Sequence, residues 1–172
     1  MVRNIKLINA IIFQIVWWSI LILKSQGHDL WLIVIAILGI CAQLLLLRTQ
    51  PLKRLGVWLA LATLGFAIDI GIAQTPIFQL TDQGAPIWLF LIWVIFVSTL
   101  NHSMAYFRGQ YVLSSIGGAI LGPICYIVAA QWGLLNYTTN TVYNIAHGVA
   151  WAIIFNLFLY LTHLGEKKCV TA

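Results

Sequence analysis

The sequence predicts an all-α polytopic membrane protein, a bundle of six transmembrane helices in a single domain with both termini cytoplasmic. Three observations predict it: a composition too apolar for water, six apolar runs of near-spanning length, and a one-sided distribution of cations. Of the 172 residues, 62% are hydrophobic and 8% charged, against roughly a quarter charged in a soluble domain. Mean hydropathy is +0.96. In a bilayer each spanning segment must satisfy its own backbone groups, which restricts it to helices or a closed barrel. Long apolar runs without alternation select helices.

The runs cover residues 5–23, 30–47, 55–73, 86–106, 112–131 and 142–163. Each is close to the roughly 20 residues that a hydrocarbon core of ~30 Å requires. Turn-forming residues separate them: Gln26-Gly27-His28, Arg48 to Arg54 with Pro51, Gln74 to Pro86, Arg108-Gly109-Gln110, and Asn136 to Thr141. The first run is too long for a secretory signal and lacks a small-residue cleavage site, so it is expected to remain as a span. No soluble domain or internal repeat stands out.

Orientation follows from charge. Arg3, Lys6, Arg48, Lys53, Arg54, Arg108, Lys167 and Lys168 fall on one side of the runs, and Lys24 alone falls on the other. The positive-inside rule then puts both termini in the cytoplasm. Asp29 and Asp82 fall on the outer side. Trp31, Trp88 and Trp132 are expected at the outer interface and Trp58 near the inner one, as an aromatic belt. This reading absorbs the net charge of +5, which in a soluble chain would suggest nucleic acid. Cys41, Cys125 and Cys169 lack metal-binding spacing and read as buried thiols.

Several phrases carry a family resemblance. They are N-A-I-I-F-Q-I-V-W-W from Asn9, L-G-F-A-I-D ending at Asp69 and followed by Phe78, and A-P-I-W-L-F-L-I-W-V-I-F from Ala85 continuing to Ser103. The last is I-G-G-A-I-L-G-P-I-C-Y from Ile116, with Gly133 after it. Together they resemble the domain-of-unknown-function 2878 family of small bacterial inner-membrane proteins; the chain departs from it at Ala129-Ala130, where a glycine is expected. The resemblance implies a multi-pass protein of the cell inner membrane with no established activity. It also implies a genomic association with membrane-lipid modification, which is not a mechanism.

Polar residues inside apolar runs are the informative ones, because each needs a partner. Asp69 leads. An acid at a helix centre costs ~2.5–3.5 kcal/mol on insertion scales, falling toward the ends. It shares a helical face with Ala62, Gly65 and Ala73, which would let a neighbouring helix approach closely. Depth matching at 1.5 Å per residue brings Tyr126, Gln131, Asn144 and His147 to its level. Asp69, Tyr126, Asn144 and His147 therefore form a candidate outer polar site, with Asp69 expected to bond His147 or Asn144. Such a site suits a proton relay, a cation or a substrate; packing hydrogen bonds between helices account for it equally well.

A candidate inner layer gathers Ser98, Asn101 and His102 on one face of the fourth run with Asn9, Gln43 and Asn156. It reads as a headgroup or substrate site, or as polar glue. Ser114, Gly118 and Gly122 form a small-residue seam in the fifth run, with a kink expected at Pro123. Asn144, Gly148, Ala152 and Asn156 offer a matching seam in the sixth. No catalytic signature such as H-E-x-x-H or G-x-S-x-G occurs, and no cofactor or metal is expected. The expected partners are the lipid bilayer and membrane proteins. The function expected is binding of a lipid or small molecule; an intramembrane enzyme acting on lipid through Asp69 and His147 or the Asn101-His102 layer, and a small transporter, are the alternatives.

Overall fold

A computed structural model describes residues 2–47, 50–82 and 85–170, with backbone alone for 2–3 and 166–170. Arg48 lies outside the described residues, as do the side chains of Arg3, Lys167, Lys168 and Cys169. The elements in order are α1 (Val2–Ser25), α2 (Asp29–Leu47), α3 (Pro51–Ile72), β1 (Phe78–Leu80), α4 (Ile87–Leu100), α5 (Tyr111–Gln131), β2 (Leu135–Tyr137) and α6 (Thr141–Val170). A 3₁₀ turn, Ala105–Phe107, precedes α5. Five helices are long and apolar enough to cross a bilayer, making this a multi-pass α-helical membrane protein.

The fourth helix corrects the sequence reading. The fourth run was expected to be helical over 86–106, but α4 stops at Leu100, giving about 21 Å of helix. Two causes act together. The polar groups that follow bond to other helices: Asn101 Nδ2 donates to the Thr162 carbonyl (2.8 Å), and the Ser103 amide donates to Asn9 Oδ1 (3.2 Å). Secondly, α4 is the central helix, packed by α1, α2, α3 and α6. It is buried on most of its faces, from Trp88 and Leu89 through Val94 and Ile95 to Leu100. A helix walled by protein need not match the bilayer thickness, because irregular backbone is tolerated where protein surrounds it. Consequently Ser98, Asn101 and His102 do not share a helical face.

A three-residue antiparallel ladder was also not expected. Phe78, Gln79 and Leu80 pair with Tyr137, Asn136 and Leu135. It joins the segment after α3 to the segment after α5, so the C-terminal ends of α3 and α5 lie together. At this end Lys24 Nζ pairs with Asp29 (3.2 Å) and Asp82 (3.1 Å), uniting the outer charges that the sequence placed there. The contacts of Asn9 with Gln43 and Ser103, and of Asn101 with Thr162, lie at the opposite end, with the two termini.

The tryptophans divide. Trp31 and Trp132 stay on the surface, but Trp88 and Trp58 are interior. Trp88 Nε1 donates to Asp82 Oδ2 (2.8 Å), which draws the ring inward. The thiols go the other way: Cys41 and Cys125, expected to be buried, lie on the exposed surface of the bundle. Both are small enough to face lipid without penalty.

Candidate functional site

Asp69 is fully buried on α3, and both its oxygens are engaged. Trp93 Nε1 from α4 donates to Oδ2 (2.7 Å), and the Tyr126 hydroxyl from α5 donates to Oδ1 (2.6 Å). Gly65, one turn earlier, makes this possible: a Cβ there would overlap the Trp93 ring. The L-G-F-A-I-D phrase is thus a tryptophan seat followed by the acceptor for its N–H. The donors that meet this carboxylate among the described residues are therefore two neutral groups. Such an arrangement can hold a proton, or draw a cationic or hydrogen-bond-donating group into the membrane interior.

The expected bond from Asp69 to His147 or Asn144 does not form. His147, also fully buried, pairs its Nδ1 with the Tyr137 hydroxyl on β2 (2.9 Å). Burial pushes the Tyr137 phenol above its ordinary value, so it keeps its proton. The ladder, invisible in the spans, is what supplies this competitor. His147 meets Tyr126 through ring contact, with centroids 4.8 Å apart. Asn144 is half-buried, with an Oδ1 that has no partner among the described residues, and Gln131 is exposed. Sequence reasoning missed Trp93. Its indole N–H, in the middle of an apolar run, needs an acceptor when buried, and that requirement was the available signal.

The inner residues separate into three contacts. Asn9 Nδ2 donates to Gln43 Oε1 (2.6 Å) and to the Ser98 carbonyl (3.3 Å), while Gln43 Nε2 donates to the Asn9 carbonyl (2.9 Å). This closed amide pair fastens α1 to α2 and α4. Asn101 accepts from Arg108 and donates to Thr162, with His102 half-buried in the same turn. Asn156 on α6 accepts from Ser114 (2.6 Å) and donates to Ser115 (3.0 Å) on α5.

Helices α5 and α6 meet along the small residues. A Cβ on Gly118 would lie 2.7 Å from the Trp151 carbonyl oxygen, one on Gly122 would run into the Trp151 ring, and one on Gly148 would lie 3.0 Å from the Ala119 carbonyl oxygen. Pro123 is buried within an α5 that runs unbroken to Gln131. The close approach lays Trp151 flat on Trp93, rings 5.6 Å apart and 7° from parallel.

On its other side α5 stands away from α1 and α4. The gap is a groove of about 250 Å³ along the bundle. Trp17 and Leu21 of α1 form one wall, Leu121 and Cys125 of α5 the other, and Trp93 and Phe96 of α4 the floor. From Gly117 to Ala129 on the α5 wall it extends about 18 Å by helical rise. Its lining is almost wholly apolar, and Asp69 and Tyr126 are among the few polar groups that reach it. Trp151 also lines it, its Nε1 buried without an acceptor among the described residues.

Fold and site thus define a multi-pass helical membrane protein with an aromatic-floored groove and a buried carboxylate beside it. The chain belongs to the family described as Protein of unknown function (DUF2878), whose profile matches residues 6–157. No curated protein and no solved structure matches the chain. Among the described residues no group of three His, Cys, Asp or Glu side chains is placed to hold a metal ion.

Proposed function

We propose that this is a bacterial inner-membrane protein, with both termini in the cytoplasm, that holds the apolar chain of a membrane lipid or a small molecule of similar shape. The groove between α1 and α5, with Asp69 inside it, is the observation that carries this reading. An extended apolar slot within the membrane suits a hydrocarbon chain, and a lone carboxylate in its wall gives one place for a polar feature of that chain to register. Such a protein fits work beside membrane-protein partners in lipid modification, as holder of the chain. A second reading follows from the same carboxylate: an intramembrane enzyme in which Asp69 exchanges a proton with the bound lipid.

Purification in native lipid followed by mass spectrometry tests the first reading. A lipid should persist through exchange into a different lipid. Gly117→Phe should expel it, because a side chain at Gly117 meets nothing nearer than Phe107 at 3.8 Å and projects into the groove. Equal retention by the variant sinks the proposal. For the second reading, Asp69→Asn should retain the lipid yet abolish any chemical change in it. Orientation is checked separately by reporter fusions after Lys6 and after Lys168, which should both report cytoplasm.

A further inference from the structure

A second cavity, of about 220 Å³, opens at the end of the bundle that carries the termini, between the Arg108-Gly109 turn and α6. Its chemistry is one-sided. Arg108, Tyr111, Tyr160 and His163 line it, and each brings an N–H or O–H donor. Asn156, the amide in its wall, is already spent: Ser114 Oγ occupies its oxygen, and its nitrogen donates to Ser115 and to the Ala152 carbonyl. No carboxylate lines the cavity among the described residues.

Arg108 is held in place by a neutral partner. One terminal nitrogen donates to Asn101 Oδ1, and Asn101 is anchored in turn to the Thr162 carbonyl. Its Nε is buried and has no acceptor among the described residues. Among the described residues no carboxylate offsets the charge of this half-buried guanidinium, and a buried donor without an acceptor is costly. The uncompensated charge points to one ligand class, an anion. A tetrahedral oxyanion accepts from a guanidinium edge in the geometry that arginine favours, and leaves oxygens for the phenols and the imidazole. Tyr111 and Tyr160, both largely exposed, would stand at the rim.

We propose that this pocket binds a phosphate oxyanion, carried either on an anionic phospholipid headgroup or on a free phosphate ester. Its position at the cation-rich end suits the former, since anionic headgroups concentrate at the cytoplasmic interface. The site is separate from the groove, with Phe107 as the wall common to both, and it stands whether or not the groove holds a lipid.

The test uses the full chain in phosphatidylcholine nanodiscs, with three additions compared: phosphatidylglycerol in the disc, inorganic phosphate in solution, and glycerol 3-phosphate in solution. Thermal unfolding midpoints and native mass spectra of bound lipid are the readouts. Phosphatidylglycerol should raise the wild-type midpoint and remain bound. Arg108→Gln should weaken its binding by about tenfold or more. If that variant fails to fold, the pair His163→Gln and Tyr160→Phe decides, because neither side chain is hydrogen-bonded to the fold among the described residues. Lys53→Gln removes a charge at the same end from an exposed site outside the pocket, and should keep the response. A response to soluble phosphate without phosphatidylglycerol assigns the free ester; the converse assigns the headgroup. The proposal falls if wild type responds to no addition, if the pocket variants respond like wild type, or if Lys53→Gln loses as much as they do.

Discussion

Two adjacent glycines in α5 mark two ways in which a helix meets its bundle. A Cβ on Gly118 would press within 2.7 Å of a backbone carbonyl of α6, whereas one on Gly117 would find open space up to Phe107, 3.8 Å away. One face of α5 is therefore closed to the width of two backbones, and the next face is held apart from α1 and α4 along the groove. In lipid no water-driven force closes such a gap, since acyl chains are as apolar as leucine, and helices meet where packing and hydrogen bonds bring them together. The α5–α6 seam has both, in its small residues and the Ser114–Asn156 bond. Across the groove, the side-chain hydrogen bond from Tyr126 to Asp69 links α5 to α3.

The largest expected effect lies in the seam. Gly122→Leu should destabilise the purified protein by about 3 kcal/mol through overpacking against Trp151, read as a lower unfolding midpoint and poor yield. Gly118→Leu should match it, since backbone cannot step aside. Asp69→Leu comes next, at about 2 kcal/mol, because it strands the Trp93 and Tyr126 donors in an apolar interior. Asp69→Asn should lose about half of that, keeping one acceptor. If the leucine variant is as stable as wild type, the bond across the groove holds nothing, and the gap is maintained by packing alone. Asn9→Ala should cost about 1 kcal/mol by leaving Gln43 Oε1 and the Ser103 amide without their partner, well away from either face of α5. The smallest stability effect belongs to Gly117→Leu, within about 0.5 kcal/mol as for substitutions free of clashes. A large loss there would erase the contrast between the two glycines.

The sequence made the spans legible because lipid leaves so few options: 20 apolar residues have one way to satisfy their backbone. It made α4 misleading for the same reason. Hydropathy measures whether a segment tolerates lipid, and α4 tolerates it while being surrounded by protein, so its early end at Leu100 left no mark in composition. Depth matching brought Tyr126 to Asp69 correctly, as both face the same neighbours. It brought His147 to the same level, against the Tyr126 ring, but missed its hydrogen bond, whose partner is fixed by strand pairing of Phe78–Leu80 with Leu135–Tyr137. Three-residue strands between helices are too short to announce themselves by alternation. The groove was not legible at all, since a space is defined by which helices are not neighbours.

The triad at Asp69 also has an order in time. Chains are made from the N-terminus, and Asp69 precedes Trp93 by 24 residues and Tyr126 by 57. During synthesis α3 is therefore complete before either donor exists, the first coming with α4 and the second with α5. A chain cut short before Tyr126 lacks that second donor altogether, so its Asp69 keeps only the Trp93 bond.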